Sequence, residues 1–241
     1  MHYLDYAATT PVSPEVAREM LAVLTEEFGN PSAQYELGRA ARIRLDRDRE
    51  TVAGALGCRP EQLFFTSCGT EGDNWAIRAA LHQNRRVGRH IVTTAVEHSA
   101  VLQCVKALEQ EGYAVSYLKP DSTGHITAEQ VSAALREDTA LVSVMLVNNE
   151  TGARLPVEEI AALLADRPAL LHTDAVQGFL KVPFTAGSLG ADYITLSAHK
   201  IGGPKGIGAL YIGGRAKNTL PLLYGGGQEA GLRPGTEATA Q

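Results

Sequence analysis

Five short stretches of this sequence carry side chains whose types suit chemistry. Ser197-Ala198-His199-Lys200 offers an amine beside an imidazole, with Lys205 as a rival amine shortly after it. Thr173-Asp174-Ala175-Val176-Gln177 offers a carboxylate and an amide, Asn148-Asn149-Glu150 another amide and acid, and Glu97-His98 an imidazole. Ser67-Cys68-Gly69-Thr70-Glu71 is a run of small and polar residues of the kind that opens a helix and leaves backbone amides free to hold a phosphate. Each stretch has a plainer reading when taken alone. Lys200 reads as a surface lysine, Asp174 as a cap or half of an ion pair, His98 as a core histidine with its hydrogen bonds satisfied, and Asn149 as a helix cap. Residues 67–71 read as an ordinary strand-to-helix turn.

The elements that position these groups decide between the readings. Short apolar, β-branched runs predict strands over residues 63–66, 90–95, 114–118, 140–147, 169–172 and 191–196. Helical patterns lie between them at residues 73–81, 99–111, 128–136 and 157–165, with Thr127 and Gln130 placed as a capping box. Upstream, Ser13-Pro14-Glu15 reads as cap, first-turn proline and first-turn acid of a helix that Gly29-Asn30-Pro31 stops, and a second helix spans residues 36–56. The alternating charges from Arg42 to Glu50 describe a solvated face laced with ion pairs rather than a phosphate patch. Strands alternating with helices imply an α/β fold with a mostly parallel central sheet flanked by helices on both faces. Ligands bind beyond the carboxyl ends of the strands in such a sheet, and the five stretches all follow predicted strands.

One ligand asks for these groups together. Pyridoxal 5'-phosphate needs a lysine amine to form an imine with its aldehyde, a carboxylate to keep its ring nitrogen protonated, and donors around a dianionic phosphate. His98 is the candidate flat group to stack on the ring and shuttle protons. The lysine is expected to work as a neutral amine, its charge disfavoured by neighbouring positive charge and partial desolvation.

Composition excludes other classes. The 241 residues are 44% hydrophobic and 20% charged with a net charge of −5, and no block of like charges favours nucleic acid or an anionic membrane. No apolar stretch approaches the ~20 residues of a spanning helix and no leader pattern opens the chain, so a cytoplasmic location is expected. Cys58, Cys68 and Cys104 stand at unrelated spacings, which suggests reduced thiols, and no metal site is expected.

The sequence resembles cysteine desulfurases of the NifS-like group, in the class V aminotransferase family of fold type I pyridoxal-phosphate enzymes. The likeness rests on His172-Thr173-Asp174-Ala175-Val176-Gln177, Ser197-Ala198-His199-Lys200 and the glycine-rich run from Gly202 to Gly208. Val147-Asn148-Asn149-Glu150-Thr151-Gly152 and Gly225-Gly226-Gly227-Gln228-Glu229 strengthen it, and it runs from Tyr3 to Thr236. The resemblance implies that Lys200, not Lys205, forms the imine, that Asp174 pairs with the ring nitrogen, that Gln177 bonds the phenolic oxygen and that His98 stacks on the ring. It implies phosphate binding by Gly69, Thr70, Ser197 and His199, and contact of Asn149 with the ring and the substrate carboxylate. Thr236 would reach the phosphate of a neighbouring subunit, making the protein a homodimer with shared sites. Residues 1–14 would form an arm that brings Ala7 near the substrate, and residues 15–241 the cofactor-binding large domain.

Three local departures from the family pattern are Tyr35 near a usual histidine, Cys68-Gly69 where Gly-Ala is common, and Ala198 for a frequent glycine. The family's small C-terminal domain, with its sulfur-accepting cysteine and carboxylate-gripping arginine, is expected to be absent, and none of the three cysteines matches that nucleophile. The activity implied is conversion of L-cysteine to L-alanine with sulfur passed to an acceptor thiol, feeding iron–sulfur cluster or other sulfur assembly, slower in this form than in a complete member. A scaffold or sulfur-acceptor protein is an expected partner. The rival readings are a selenocysteine lyase, a small-amino-acid aminotransferase, or a non-catalytic cofactor-binding or dimerising subunit.

Overall fold

The computed structural model describes residues 2–241. Seven strands form one sheet in the order β1-β7-β6-β5-β4-β2-β3. They are β1 Leu63–Thr66, β2 His90–Thr94, β3 Ala114–Leu118, β4 Thr139–Ser143, β5 Leu170–Asp174, β6 Tyr193–Ser197 and β7 Gly208–Ile212. β2 pairs in parallel with β3 and β4, β4 with β5, and β5 with β6, while β7 pairs antiparallel with both β6 and β1. β1 therefore points the same way as the parallel strands, and only β7 is reversed.

The helices are α1 Pro14–Thr25, α2 Glu36–Leu56, α3 Gly69–Gln83, α4 Ser99–Gln110, α5 Ala128–Ala134, α6 Val157–Leu163 and α7 Ala186–Leu189. Alternation along the strands divides the core between two faces. Ile91, Leu141, Leu170 and Tyr193 pack with Trp75, Ile77 and Leu81 of α3 and with Val101 and Val105 of α4. Their neighbours Val92, Val142, Leu171 and Ile194 pack with Leu56 of α2, Val131 of α5, Ile160 of α6 and Leu189 of α7. Helices on both faces are thus the consequence of strands that are apolar on both sides.

Sequence expectation and structure differ at β4 and β7. Within the apolar run 140–147 the strand ends at Ser143: Val144 N and Leu146 N still donate to His172 O and Asp174 O of β5, while the Met145 N–H bonds the buried Glu97 Oε1 at 3.0 Å. The sequence pattern predicts no strand at the reversed β7, whose apolar residues 209–212 directly follow a glycine-rich loop. Its first residue has to be glycine: a Cβ at Gly208 would meet Leu196 O at 2.6 Å and Cys68 C at 2.9 Å.

The irregular segment after β7 is tied down by charge. Arg49 grips Glu229 with two bonds of 2.5 and 2.8 Å, and Glu229 also accepts from Phe65 N at 2.9 Å. These bonds hold Glu229 and Ala230 at φ of 47° and 56°, a left-handed backbone that costs about 1–3 kcal/mol per non-glycine residue. Glu71–Arg233 and Arg42–Glu237 add two further ties. Arg49→Ala is expected to lower the unfolding free energy by about 3–5 kcal/mol, since the Glu229 side chain is 2% exposed and would lose its partner. Arg18→Ala, which opens the exposed pair with Glu15, should cost under about 1 kcal/mol. Equal losses for the two variants in urea titrations would refute this account of the segment.

Candidate active site

At the carboxyl edge of the sheet, the turns after β1, β2, β5 and β6 surround a cavity of about 440 Å³. The segment beyond β4 and residues Asp5, Ala7 and Ala8 of the N-terminal arm complete its wall. Asp174 ends β5, is buried, and its Oδ1 accepts from Val176 N at 2.9 Å. Burial and the nearby Asp73 push its carboxyl up to about 7. Asp73, on the first turns of α3, is also pushed up to about 7 by burial, and Glu97 to about 8. His172 is held neutral, its pKa lowered to about 4 by burial, with Ser143 Oγ 2.8 Å from Nδ1 and Thr195 Oγ1 3.0 Å from Nε2. Its 3.4 Å approach to Asp73 is therefore not an ion pair, because burial drives both groups toward their neutral forms.

Lys200 sits on a short 3-10 turn after β6, facing the cavity, whereas Lys205 is exposed and outside it. Of the two lysines, only Lys200 is part of the cavity wall. Lys200 Nζ donates to Ala7 O at 2.6 Å and to Ala8 O at 2.7 Å. Burial lowers its pKa, while Asp5 and Asp174 oppose that shift. The expected neighbouring positive charge is not the cause: desolvation is, and the charges that act on Lys200 are acids. The arm reaches this place because Thr10 N and Oγ1 both donate to His199 O at 2.8 and 2.9 Å, and Gly202 N donates to Thr10 Oγ1 at 2.7 Å.

The other expected residues divide clearly. Gly69 and Thr70 begin α3, whose N-cap residue Cys68 gives no side-chain hydrogen bond, so the first amides of the helix are left for a ligand. Ser197 and His199 line the same cavity; burial and then Lys200, Lys205 and Lys181 lower the His199 pKa. His98 is exposed rather than a core residue, and caps α4 with Nδ1 accepting from Ala100 N at 3.1 Å. That bond occupies Nδ1 and leaves Nε2 as the free ring nitrogen. Capping near Asn149 falls to Asn148, whose Oδ1 accepts from Glu150 N and Thr151 N, which leaves Asn149 in the cavity wall. Gln177 donates to Ala7 O at 2.8 Å and accepts from Lys181 Nζ at 2.7 Å. Thr236 is exposed and lies outside this cavity.

Sequence reading passed over Asp73 and gave Glu97 no part. Asp73 stands four residues after Gly69, on the same helix face, and that spacing was the available signal. Cys68 lines the cavity, while Cys104 is buried and its thiol pushed up to about 11 by burial. A second hollow of about 460 Å³ is lined by Arg42, Arg49 and Glu229, of which Arg49 and Glu229 pair with one another and Arg42 pairs with Glu237.

Residues 2–240 match the aminotransferase class-V family. The chain belongs to the class-V aminotransferase family. Among curated relatives of this family, cysteine desulfurase IscS of Clostridium botulinum (strain Hall) is 44% identical over 238 residues, 99% of this chain and 60% of the relative. Cysteine desulfurase 2 of Trichormus variabilis is 49% identical over 235 residues, 98% of this chain and 58% of the relative. The chain thus spans about 60% of the length of these curated relatives. Of solved structures, a NifS-like protein superposes with a TM-score of 0.95 at 41% identity, covering 99% of this chain and 66% of that one. SspA in complex with cysteine gives 0.95 at 38% identity, covering 100% and 70%. The class-V fold here is α/β, as the alternation of elements predicted.

The residues of this class-V chain fit pyridoxal phosphate on their own chemistry. A buried carboxylate with a single backbone donor, an amine of lowered pKa and an uncapped helix start open onto one cavity. No helix among the described residues is long and apolar enough to cross a membrane. The titrations carry a consequence for stability. Asp73, Asp174 and Glu97 have folded pKa values above those of the unfolded chain, so stability falls as pH rises through them. His172 acts in the opposite sense, but only below about 6.5, the pKa of an unfolded histidine. The melting temperature of the cofactor-free protein is therefore expected to be lower at pH 8 than at pH 6.5; a rise across that window would refute these assignments.

Proposed function

We propose that this chain is the pyridoxal-phosphate-binding part of a cysteine desulfurase that takes sulfur from L-cysteine, leaving L-alanine, and passes it to an acceptor cysteine thiol. The observation that carries the reading is that Lys200 and Asp174, at the ends of neighbouring strands β6 and β5, face one cavity. The names of the relatives and a neighbouring structure's complex with cysteine support the substrate.

Pyridoxal phosphate, when bound, supplies an aldehyde for amine capture and an electron-withdrawing ring that stabilises a carbanion at the substrate α-carbon. Lys200 is the residue that would hold the aldehyde and, once freed by the substrate amine, move the α-proton. Its lowered pKa keeps more of the amine neutral for both tasks. Asp174 would hold the ring nitrogen in its protonated state, and Gln177 would donate to the phenolic oxygen through an amide already oriented by Lys181. His98 presents a flat ring with Nε2 free to exchange protons. Gly69, Thr70, Ser197 and His199, which line the cavity, would hold the phosphate, and Asn149 and Ala7 would receive the substrate. Thr236, exposed on its tethered segment, would complete the site of a second copy in a homodimer. We also place the protein in the cytoplasm, on the odd number of thiols held free.

Purified protein incubated with pyridoxal phosphate should absorb in the visible, and borohydride should fix the cofactor mass on the Lys200 peptide. Lys200→Ala should abolish the label, and Asp174→Ala should weaken cofactor retention at least tenfold, about 1.4 kcal/mol, for a lost charge-assisted contact. A label on Lys205, or none with excess cofactor, would overturn the site. A bound cofactor whose spectrum ignores L-cysteine would overturn the substrate.

A further inference from the structure

The roles above leave Asp73 unused, although it lines the cofactor cavity. It is 1% exposed, and its Oδ1 has no hydrogen-bond partner among the described residues. One ligating atom each of Asp73, Asp174 and His98 lie within 4.8 Å of one another. Asp174 and His172 face Asp73 from β5, Glu97 and His98 from the turn after β2, and Cys104 from α4. No lysine or arginine forms an ion pair with Asp73 or Asp174 among the described residues. Lys200, the cation nearest in role, is engaged by the carbonyls of Ala7 and Ala8.

Two carboxyl groups this close, out of water and without a cation, repel strongly when both are ionised. We propose that Asp73 and Asp174 form one proton-holding pair, with Asp73 as the positioning residue. Near neutral pH the cation-free pair keeps a single proton between them. When a cationic ring nitrogen docks on Asp174, that O–H bond breaks, the proton passes to solvent, and the pair goes from one negative charge to two. Asp73 thereby strengthens the charge that Asp174 offers the ring without touching the ring itself. The same geometry explains why an acid with no lysine or arginine partner among the described residues is kept on the buried face of α3. Burial pushes both carboxyls upward, in keeping with a pair of this kind. Only the identity of the cation rests on the pyridoxal-phosphate reading.

The test compares wild type with Asp73→Asn and Asp174→Asn. In melting curves of the cofactor-free proteins, each variant should melt above wild type at pH 8.5, where the wild-type pair has lost its proton, and the gap should close by pH 6. A gap of constant size, or a loss of melting temperature at both pH values, is what a purely structural role would give and would overturn the proposal. Asp174→Asn keeps this arm decisive should Asp73→Asn fail to fold. In calorimetric titrations with pyridoxal phosphate at pH 6.5, in buffers of differing ionisation enthalpy, wild type should release about one proton more than Asp73→Asn. Equal proton counts would overturn the pair. Absence of any binding would overturn the pyridoxal-phosphate reading, and the melting curves would still decide for or against the pair.

Discussion

Strand direction is the constraint on which this molecule depends. Because β1, β2, β4, β5 and β6 point the same way, the turns that follow them open at one edge of the sheet. Reversing β6 alone would carry Lys200 to the far edge, roughly 17 Å from Asp174 for a five-residue strand at about 3.3 Å per residue. β7 shows what a reversed strand is used for here. It closes the sheet between β6 and β1 and brings only a glycine, Gly208, to the crowded carboxyl edge.

That edge collects charge that the core would otherwise exclude. Asp73, Glu97 and Asp174 are buried together, and the histidine between them is neutral. Neutral hydrogen-bond donors, from Val176, Met145 and Thr94, satisfy part of their demand. The remainder is left open to whatever enters the cavity. A site held in this state gives up stability to stay ready for a cation, and the two core layers above and below the sheet supply the stability it gives up.

Two irregular segments frame the site, and polar contacts rather than apolar packing hold both. The arm is fixed through Thr10 to His199 and Gly202, so the residue beside Lys200 also anchors the carbonyls that cover it. The segment from Gly225 onward is fixed by Arg49, Arg42 and Glu71. Glu71 belongs to α3, the helix whose first amides face the cavity, and its carboxylate also accepts from Ser67 N. The turn after β1 and the C-terminal segment are thereby linked through one side chain.

Local periodicity and capping encode a large share of this fold. The strands of the parallel sheet, the helices flanking it, and the order in which chemical groups follow strand ends are all local patterns. They set Lys200, Asp174, His98, Asn149 and Gly69 just after strand ends, and the fold brings these residues to one cavity. Tertiary structure decided what depends on neighbours far along the chain. It ended β4 early by giving the Met145 amide to Glu97, and it set β7 into the sheet with Gly208 opposite Thr66 of β1, 142 residues earlier in the chain. It also divided the paired asparagines, Asn148 taking the turn and Asn149 the cavity. Above all it made Asp73 a buried acid facing Asp174, although the two stand a hundred residues apart. Periodicity records which face of an element is apolar; the charge state of a buried carboxyl is set by burial and by the groups that folding brings within a few ångströms of it.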